Sequence, residues 1–245
     1  MQQYGLIGYP LGHSFSKRFF TEKFENEHIN AFYESYPIEN IQKITELIAS
    51  VELSGLNVTI PYKEQVIPFL DELNETAAAI GAVNVIKFIR SKNSLILKGY
   101  NTDAVGFENS IRPFLKPHHT KALILGTGGA SKAIKFVLEK SGIETKYVSR
   151  TPAADKLSYS DLDSSVMTDY HIVVNASPVG TFPNVDICPD IPYQFLNDKH
   201  LLYDVVYNPA ETLFLKKGRE QGAVGINGEQ MLVEQALAAW EIWND

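Results

Sequence analysis

The segment 121–150 limits the folds open to this chain more than any other part of it. An apolar run at 122–125 leads directly into the glycine-rich turn GTGGAS, and apolar side chains then recur at helical spacing from residue 130 to 141. A second strand is predicted at 145–148. A strand, a glycine turn, a helix and a second strand in this order predict a parallel βαβ unit.

The glycine-rich turn predicts a dinucleotide-binding site. Gly126 permits a tight turn, Gly128 lets the backbone approach a pyrophosphate, and Ser131 is small enough to replace the third glycine of the usual pattern. Backbone N–H groups and the positive end of the helix dipole would face the anion. Because such a turn can also do no more than close a loop, the prediction depends on the strand and helix beside it. The predicted cofactor-binding residues of the turn are Gly126, Gly128, Gly129, Ala130 and Ser131.

The end of the second predicted strand favours NADP over NAD. An NAD site normally carries a carboxylate here for the ribose hydroxyls, but this chain has Ser149, Arg150 and Thr151 instead. A guanidinium and two hydroxyls suit a 2′-phosphate through charge-assisted hydrogen bonds. The alternative interpretation is that Arg150 is a solvated arginine in a surface loop.

The composition is that of a globular protein with two modest domains: its 245 residues are 44% hydrophobic and 21% charged. The single cysteine, Cys188, excludes an intrachain disulfide and fits a reducing compartment, so we expect a cytoplasmic protein. The six histidines show no ligand spacing, so no metal site is predicted. The net charge of −7 argues against a nucleic-acid partner. We expect neither a signal peptide nor a membrane helix of about 18 apolar residues.

Strands and helices alternate in both halves of the chain. The alternation predicts an α/β fold of two α/β domains, each with a mainly parallel sheet, and a cleft between them where a cofactor would meet a substrate. The strands at 83–89 and 94–100 are expected to pair as an antiparallel hairpin, and Ser16 is expected to cap the first helix. The other predicted strands cover 4–9, 31–38, 53–60, 122–125, 145–148, 171–175 and 201–205. The predicted helices cover 16–28, 41–48, 63–70, 72–80, 103–115, 130–141, 213–219 and 229–243.

Four polar motifs follow or precede predicted strands in the first half, where the carboxyl ends of parallel strands face a ligand crevice. Each has an ordinary structural interpretation: Ser16 and Asp103 as helix caps, Asn57 and Thr59 as residues of a sheet face, and Lys63 as a solvated lysine. Together they supply hydroxyls, amides, one ammonium and one carboxylate, a set that suits a small polyhydroxylated anion. The motifs are GHSFS at 12–16, NVTIPYKE at 57–64, GAVN at 81–84 and GYNTD at 99–103.

Eight motifs make the chain resemble the shikimate dehydrogenase family across essentially its full length. They are HSxS at 13–16, NVTxPxKE at 57–64, GAVN at 81–84, NTD at 101–103, GxGGAS at 126–131, NASPVG at 175–180, YNPxxT at 207–212 and GxxMLVxQA at 228–236. The resemblance implies NADPH-dependent reduction of 3-dehydroshikimate to shikimate, in the route to chorismate and the aromatic amino acids. It also implies a substrate domain at 1–101 plus 230–245 and a Rossmann-type NADP-binding domain at 102–229. A monomer or a homodimer is expected, with a small molecule as its partner.

The resemblance also implies roles for individual residues. Ser14 and Ser16 would bind the substrate carboxylate, and the ring would be held by Asn57, Thr59, Asn84, Asp103 and Gln235. Lys63 would act at the oxygen undergoing redox change, with Asp103 beside it. The nicotinamide half of the cofactor would lie along Ala176, Ser177, Val205, Tyr207 and Gly228.

The chemistry of ketone reduction also supports catalytic roles for Lys63 and Asp103, independently of the resemblance. Hydride delivery to a ketone builds negative charge on oxygen, and an ammonium can meet that charge with a proton. A nearby carboxylate orients the ammonium and keeps it charged until transfer.

Two alternatives stay open. The first is a quinate/shikimate dehydrogenase that uses NAD as well, against which Arg150 argues. The second is a relative that binds shikimate or the dinucleotide without turnover, against which intact Lys63 and Asp103 argue. The chain departs from the family pattern at Lys17, where proline is usual, and at Ser149, where asparagine is usual.

Overall fold

The computed structural model describes residues 1–12, 14–151 and 153–245. These form two compact units, the first made of Met1–Thr102 with Gln235–Asp245 and the second of Asp103–Glu234. His13, the first residue of the predicted HSxS motif, lies outside the described residues, as does Pro152. In the described part of the chain no helix combines the length and apolar character needed to cross a membrane. Which unit binds substrate and which binds cofactor stays a prediction.

The first unit is built on a six-stranded, mainly parallel sheet with strand order β2-β1-β3-β5-β6-β4. Its strands are β1 (Gln2–Gly8), β2 (Ala31–Pro37), β3 (Gly55–Val58), β4 (Glu72–Leu73), β5 (Val85–Arg90) and β6 (Leu95–Tyr100). Only β5 runs against its neighbours: it is antiparallel to β3 and to β6. The predicted hairpin is therefore confirmed. The helices are α1 (Phe15–Asn26), α2 (Ile44–Ser50) and α3 (Glu75–Ile80).

Three helix predictions for this unit are wrong in their limits. Ser14, not Ser16, caps α1, and its Oγ accepts a hydrogen bond from Lys17 N at 3.3 Å. The helix expected at 63–70 is a turn followed by the 3₁₀ helix Ile67–Phe69, because the proline at position 68 lacks a backbone donor. The helix expected at 72–80 begins only at Glu75, since residues 72–73 pair with β6 as strand β4.

The second unit holds a six-stranded sheet in which every strand is parallel to its neighbours. Its strands are β7 (Lys121–Leu125), β8 (Glu144–Val148), β9 (Lys156–Leu157), β10 (Ile172–Asn175), β11 (Leu201–Asp204) and β12 (Val224–Ile226). The spatial order β12-β11-β10-β7-β8-β9 is the 3-2-1-4-5-6 order of a Rossmann sheet read from the other side. The predicted α/β class with two mainly parallel sheets is confirmed.

Among the described residues, four α-helices lie wholly in the second unit: α4 (Asp103–Ile111), α5 (Gly129–Lys140), α6 (Ser164–Asp169) and α7 (Leu213–Glu220). The predicted apolar face of α5 is buried, as helical spacing requires. The helix expected at 103–115 ends as an α-helix at Ile111, where a 3₁₀ turn containing a proline follows. Helix α6 and the short strands β9 and β12 were not predicted, because segments of two to six residues carry little periodic signal.

The last helix, α8 (Glu229–Asn244), packs in the first unit from Gln235 onward. Trp243 is buried among the aromatic rings of Tyr4, Phe20 and Phe24, and its Nε1 donates to the carbonyl of Ile86 at 3.0 Å. The Trp243 indole occupies the space that a Cβ would need at Gly55, so β3 can accept the helix only with glycine there. Burial of this aromatic cluster fixes the end of the chain on the first sheet.

Four histidines cluster at the amino edge of the second sheet. The ring centroids of His118 and His119 lie 4.4 Å apart, those of His118 and His171 5.5 Å, and those of His171 and His200 5.3 Å. His200 Nδ1 accepts from Asn197 N at 3.1 Å, and its Nε2 lies 2.8 Å from the carbonyl oxygen of Met167. Burial lowers the pKa of His119 and of His200, so the neutral rings are the ones the fold favours.

We predict that the protein loses stability as the pH falls through the histidine range. Because the pKa of these histidines is lowered in the folded state, the unfolded chain binds more protons than the folded protein as the pH falls. The stability that the neutral rings contribute is therefore present above pH about 6.5 and is lost below it. Urea unfolding of wild type and His200→Gln from pH 8 to pH 5 measures the effect. Wild type should lose more of its free energy of unfolding than the variant does. His28→Asn, an exposed histidine outside the cluster, is the matched control, and equal slopes for wild type and His200→Gln would contradict the prediction.

Candidate functional site

The first unit brings three of the predicted polar motifs to one edge of its sheet. Thr59 follows the carboxyl end of β3, and Asn101 follows that of β6. The antiparallel strand β5 begins at the same edge, which places Asn84 between them. The backbone links them directly, since Val58 N donates to Asn84 O at 2.9 Å and Asn84 N donates to Tyr100 O at 3.0 Å.

Asn84 is the centre of a buried hydrogen-bond network at this edge. Its Oδ1 accepts from Thr102 N at 2.7 Å, and its Nδ2 lies 3.0 Å from Thr102 Oγ1. Asn57 Nδ2 donates to Asn84 O at 3.3 Å, and Asn57 Oδ1 accepts from the Tyr33 hydroxyl at 2.7 Å. The side chains predicted to bind substrate here also hold one another in place.

Tyr33 is a member of this network that sequence reasoning missed. Burial raises its pKa well above the ordinary value, and a hydrogen bond with Ser16 opposes the rise. The phenol therefore connects Ser16, at the start of α1, to Asn57 on β3. In the sequence its only signal is a tyrosine in an alternating strand, which is typical of a core residue.

Ser14 lies in an open pocket of about 430 Å³ at the start of α1. Lys17 and Arg18 line the same pocket and bring positive charge to it, and Lys17 also forms an ion pair with Glu34. The pocket is lined by Gly12, Ser14, Lys17, Arg18, Thr21, Glu22 and Ser35. Ser14 therefore lies in an open pocket that two cationic side chains and the Glu22 carboxylate line, whereas Ser16 contacts Tyr33.

Two of the predicted residues at this edge sit on loops that the sheet positions. Thr59 N donates to Ile7 O at 2.9 Å, and Lys63 O accepts from Val83 N at 2.7 Å. Both side chains are half-buried. Asp103 is buried at the first turn of α4 and belongs to the second unit, so its pairing with Lys63 stays a prediction. Gln235, also buried, lies on the part of α8 that belongs to the first unit.

The glycine turn of the second unit has the geometry of an anion cradle. Gly126 has φ of +114°, which strongly favours glycine, and a Cβ there would stand 3.2 Å from the carbonyl oxygen of Ala176. Gly128 is the N-cap of α5, where it offers no side-chain cap and where the space around a Cβ is open. Ser131 is buried and donates to Gly128 O at 2.6 Å. The turn lies between β7 and β10, the switch point at which ligands bind to such sheets.

The segment after β8 leaves its arginine exposed. Ser149 N donates to Leu157 O at 2.9 Å, and Ser149 Oγ accepts from Thr151 N at 3.1 Å. Arg150 is exposed, and none of the ion pairs found within residues 1–12, 14–151 and 153–245 involves it. Burial raises the pKa of Tyr159, and the positive charge of Arg150 opposes that shift.

The remaining predicted cofactor residues converge at the carboxyl ends of β10 and β11. Ala176 and Ser177 follow β10, and Val205 and Tyr207 follow β11. Gly228 N donates to Val206 O at 3.1 Å, and the carbonyl of Val205 occupies the space of a Cβ at position 228. The structure therefore brings these residues together.

Sequence reasoning missed Asp204, which ends β11 beneath these loops. The sequence signal that could have indicated it is an acidic residue at the end of an apolar run. In the described residues no group of three or more histidine, cysteine, aspartate or glutamate side chains is arranged to hold a metal ion.

Residues 6–86 match the family model described as the shikimate dehydrogenase substrate binding domain. A shikimate dehydrogenase (NADP(+)) of Methanosphaera stadtmanae is 34% identical over 258 aligned positions, which cover 98% of this chain and 90% of that relative. The chain belongs to the shikimate dehydrogenase family.

Solved structures agree with this family membership. The chorismate mutase/shikimate 5-dehydrogenase fusion protein from Clostridium acetobutylicum is 36% identical with a TM-score of 0.88, covering 100% of this chain and 91% of that chain. A shikimate dehydrogenase solved in complex with NADP+ is 31% identical with a TM-score of 0.86, covering 99% of this chain and 89% of that chain. The two-unit α/β fold is therefore that of the family.

We predict that Asn84→Ala destabilises this shikimate dehydrogenase family member by about 1–3 kcal/mol, because Thr102 N loses its buried acceptor. The free energy of unfolding in urea measures this without any ligand. Asn93→Ala, in the exposed turn of the β5–β6 hairpin, serves as the control. An unchanged unfolding midpoint for Asn84→Ala would mean that the network contributes nothing to the fold.

Proposed function

We propose that the protein is an NADP-dependent oxidoreductase that reversibly reduces 3-dehydroshikimate to shikimate, in the route to chorismate and the aromatic amino acids. The observation that carries the proposal is the near-full-length similarity to shikimate dehydrogenases (NADP(+)), together with a Rossmann sheet in which Arg150 follows the end of β8. We place the enzyme in the cytoplasm, whose reducing conditions would keep Cys188 as a thiol.

The second unit would hold NADP, and its residues fit that group. The pyrophosphate would lie against Gly126 and residues 128–131, where the left-handed turn and the open N-terminus of α5 leave room for an anion. The 2′-phosphate would be bound by Ser149, Arg150 and Thr151. The nicotinamide half would lie along Ala176, Ser177, Val205, Tyr207 and Gly228. NADPH supplies the hydride when bound, and the chain supplies geometry and the proton.

The first unit would bind the substrate. The hydroxyls of Ser14 and Ser16 would donate to its carboxylate, and Lys17 and Arg18 add positive charge at the pocket that contains Ser14. Asn57, Thr59, Asn84 and Gln235 would hold the ring hydroxyls.

Lys63 would donate the proton as negative charge develops on the carbonyl oxygen. Asp103 would orient the ammonium and keep it charged until transfer. The reverse reaction would use the same pair, with the neutral amine of Lys63 accepting the proton from the substrate hydroxyl. A steady-state assay with shikimate and quinate against NADP and NAD tests this function, and turnover of quinate with NAD alone would overturn it.

We predict that Arg150→Ala weakens the use of NADP and spares that of NAD. One charge-assisted hydrogen bond is worth roughly 1.5–3 kcal/mol, so the KM for NADP should rise about 10- to 150-fold. Arg219→Ala, at an exposed arginine of α7, is the control and should change neither cofactor. An equal loss with both cofactors would make Arg150 structural.

We predict opposite kinetic patterns for Lys63 and Ser14. Lys63→Ala should lower kcat by about 10²–10⁴-fold with little change in the shikimate KM, because its role arises as charge develops in the transition state. Ser14→Gly should raise the shikimate KM and largely spare kcat, because the carboxylate carries the same charge in both states.

Glycine is a better test substitution than alanine at position 14. Ser14 caps α1, and glycine keeps the cap within a few tenths of a kcal/mol, whereas alanine costs about 1 kcal/mol of helix stability. Lys92→Ala, in the exposed turn of the β5–β6 hairpin, controls for loss of a lysine. Identical patterns for Lys63→Ala and Ser14→Gly would make Lys63 only a binding residue.

A further inference from the structure

A buried carboxylate lies under the loops that follow β10 and β11. Asp204 is the last residue of β11 and is completely buried. Its Oδ1 accepts from Asn175 Nδ2 at 2.9 Å and from Val206 N at 3.0 Å, and its Oδ2 accepts from Thr212 Oγ1 at 2.6 Å. One side chain thus binds the end of β10, the loop after β11 and the cap of α7.

Asn175 extends this contact into the loop after β10. Its Oδ1 accepts from Ser177 Oγ at 2.6 Å and from Ser177 N at 3.2 Å, while its Nδ2 also donates to Val179 O at 3.1 Å. The conformation of residues 176–179 therefore depends on the orientation of the Asn175 amide. Asp204 sets that orientation, because a carboxylate can only accept and so must face the amide nitrogen.

The segment at Gly228, the third one at the nicotinamide end, is held through backbone hydrogen bonds. Val206 donates its N–H to Asp204 and accepts from Gly228 N at 3.1 Å. Because the Val205 carbonyl lies against the Cα of Gly228, a shift of this loop would be transmitted to position 228. All five residues proposed to line the nicotinamide half lie on segments that this carboxylate ties together.

We propose that Asp204 is a positioning residue for the nicotinamide end of the cofactor site: it holds the segments 176–179, 205–207 and 228 in register without touching the cofactor. This inference rests on the proposed function, since it concerns the same site. The adenosine end of the cofactor would be bound by the glycine turn and Arg150, for which no contact with Asp204 is found among the described residues.

The charge state of Asp204 agrees with this role. Burial raises its pKa to about 6, and the hydrogen bonds from Thr212, Val206 and Asn175 oppose the shift. At neutral pH the group is therefore a carboxylate that accepts from all of its donors. Tyr193 and Tyr203 are the titratable groups whose pKa the Asp204 charge raises, although burial is the larger cause in both. Both phenols are neutral near pH 6.

The test compares two ligands that share the adenosine end. NADP reaches both ends of the site, whereas adenosine 2′,5′-bisphosphate lacks the nicotinamide and reaches only the adenosine end. For Asp204→Ala we expect at least a tenfold rise in the Kd and KM for NADP, with the Kd for adenosine 2′,5′-bisphosphate within twofold of wild type. Asp204→Asn keeps an acceptor for Asn175 and Val206 and should restore most of the NADP affinity.

His200→Ala is the matched control for loss of a buried polar side chain. His200 lies at the amino edge of the same sheet, at the opposite end of the strands from the loops of the candidate site. It bonds to Met167 and Asn197, and neither residue belongs to those loops. We expect it to lower Tm while leaving the Kd for both ligands unchanged. Should Asp204→Ala fail to fold, Thr212→Val decides the matter: it removes the 2.6 Å hydrogen bond to Asp204 together with the 3.4 Å cap contact with Leu215 N, and it should weaken the binding of NADP but not that of adenosine 2′,5′-bisphosphate.

Each remaining result counts against the inference. Equal weakening of both ligands would make Asp204 a general structural residue, and unchanged NADP affinity would give it no part in the site. Absence of NADP binding by wild type would overturn the proposed function itself, and the inference with it.

Discussion

Hydrogen bonding between neighbouring strands decides where the functional groups of this protein lie. In the second sheet, β7 and β10 pair from Ala122 with Ile172 to Leu125 with Asn175. This register forces the glycine turn after β7 and the loop after β10 to begin side by side. In the first sheet, the row that joins Leu6, Asn57, Val85 and Tyr100 does the same for loops far apart in the sequence. Every site proposed for this chain is built on such an edge.

Backbone pairing alone would leave these loops free to move, and buried side-chain networks remove that freedom. Asn84 with Thr102 does so in the first unit, and Asp204 with Asn175 and Thr212 does so in the second. The first network includes Asn84, which is itself proposed to touch ligand, and the second lies one residue from Ala176 and Val205, which are proposed to touch the cofactor. A buried polar group is costly unless it is bonded, so each network has one low-energy arrangement and orders its loop accordingly.

The two ends of the second sheet contrast in chemistry. Its carboxyl edge carries a glycine turn, hydroxyls and exposed Arg150, a set whose chemistry suits an anion, while its amino edge carries the cluster of four histidines. Both edges contain buried titratable groups, but only Asp204 supports loops of the candidate site. The histidines pair with the backbone of neighbouring turns and therefore contribute to stability.

The sequence by itself determined the α/β class, the Rossmann unit and the glycine turn before α5, because these depend on local signals: apolar runs, helical spacing and glycine where φ is positive. It also brought out the motifs that later proved to meet at the sheet edges. It predicted an α-helix at 63–70 that Pro68 breaks, and it assigned the cap of the first helix to Ser16 although Ser14 forms it, because both serines are suitable N-cap residues at nearby positions. Only the tertiary structure decided that Tyr33 and Asp204 belong to the site networks. Their partners lie 24 and 29 residues away along the chain, and no local pattern records a contact that forms only when strands pair.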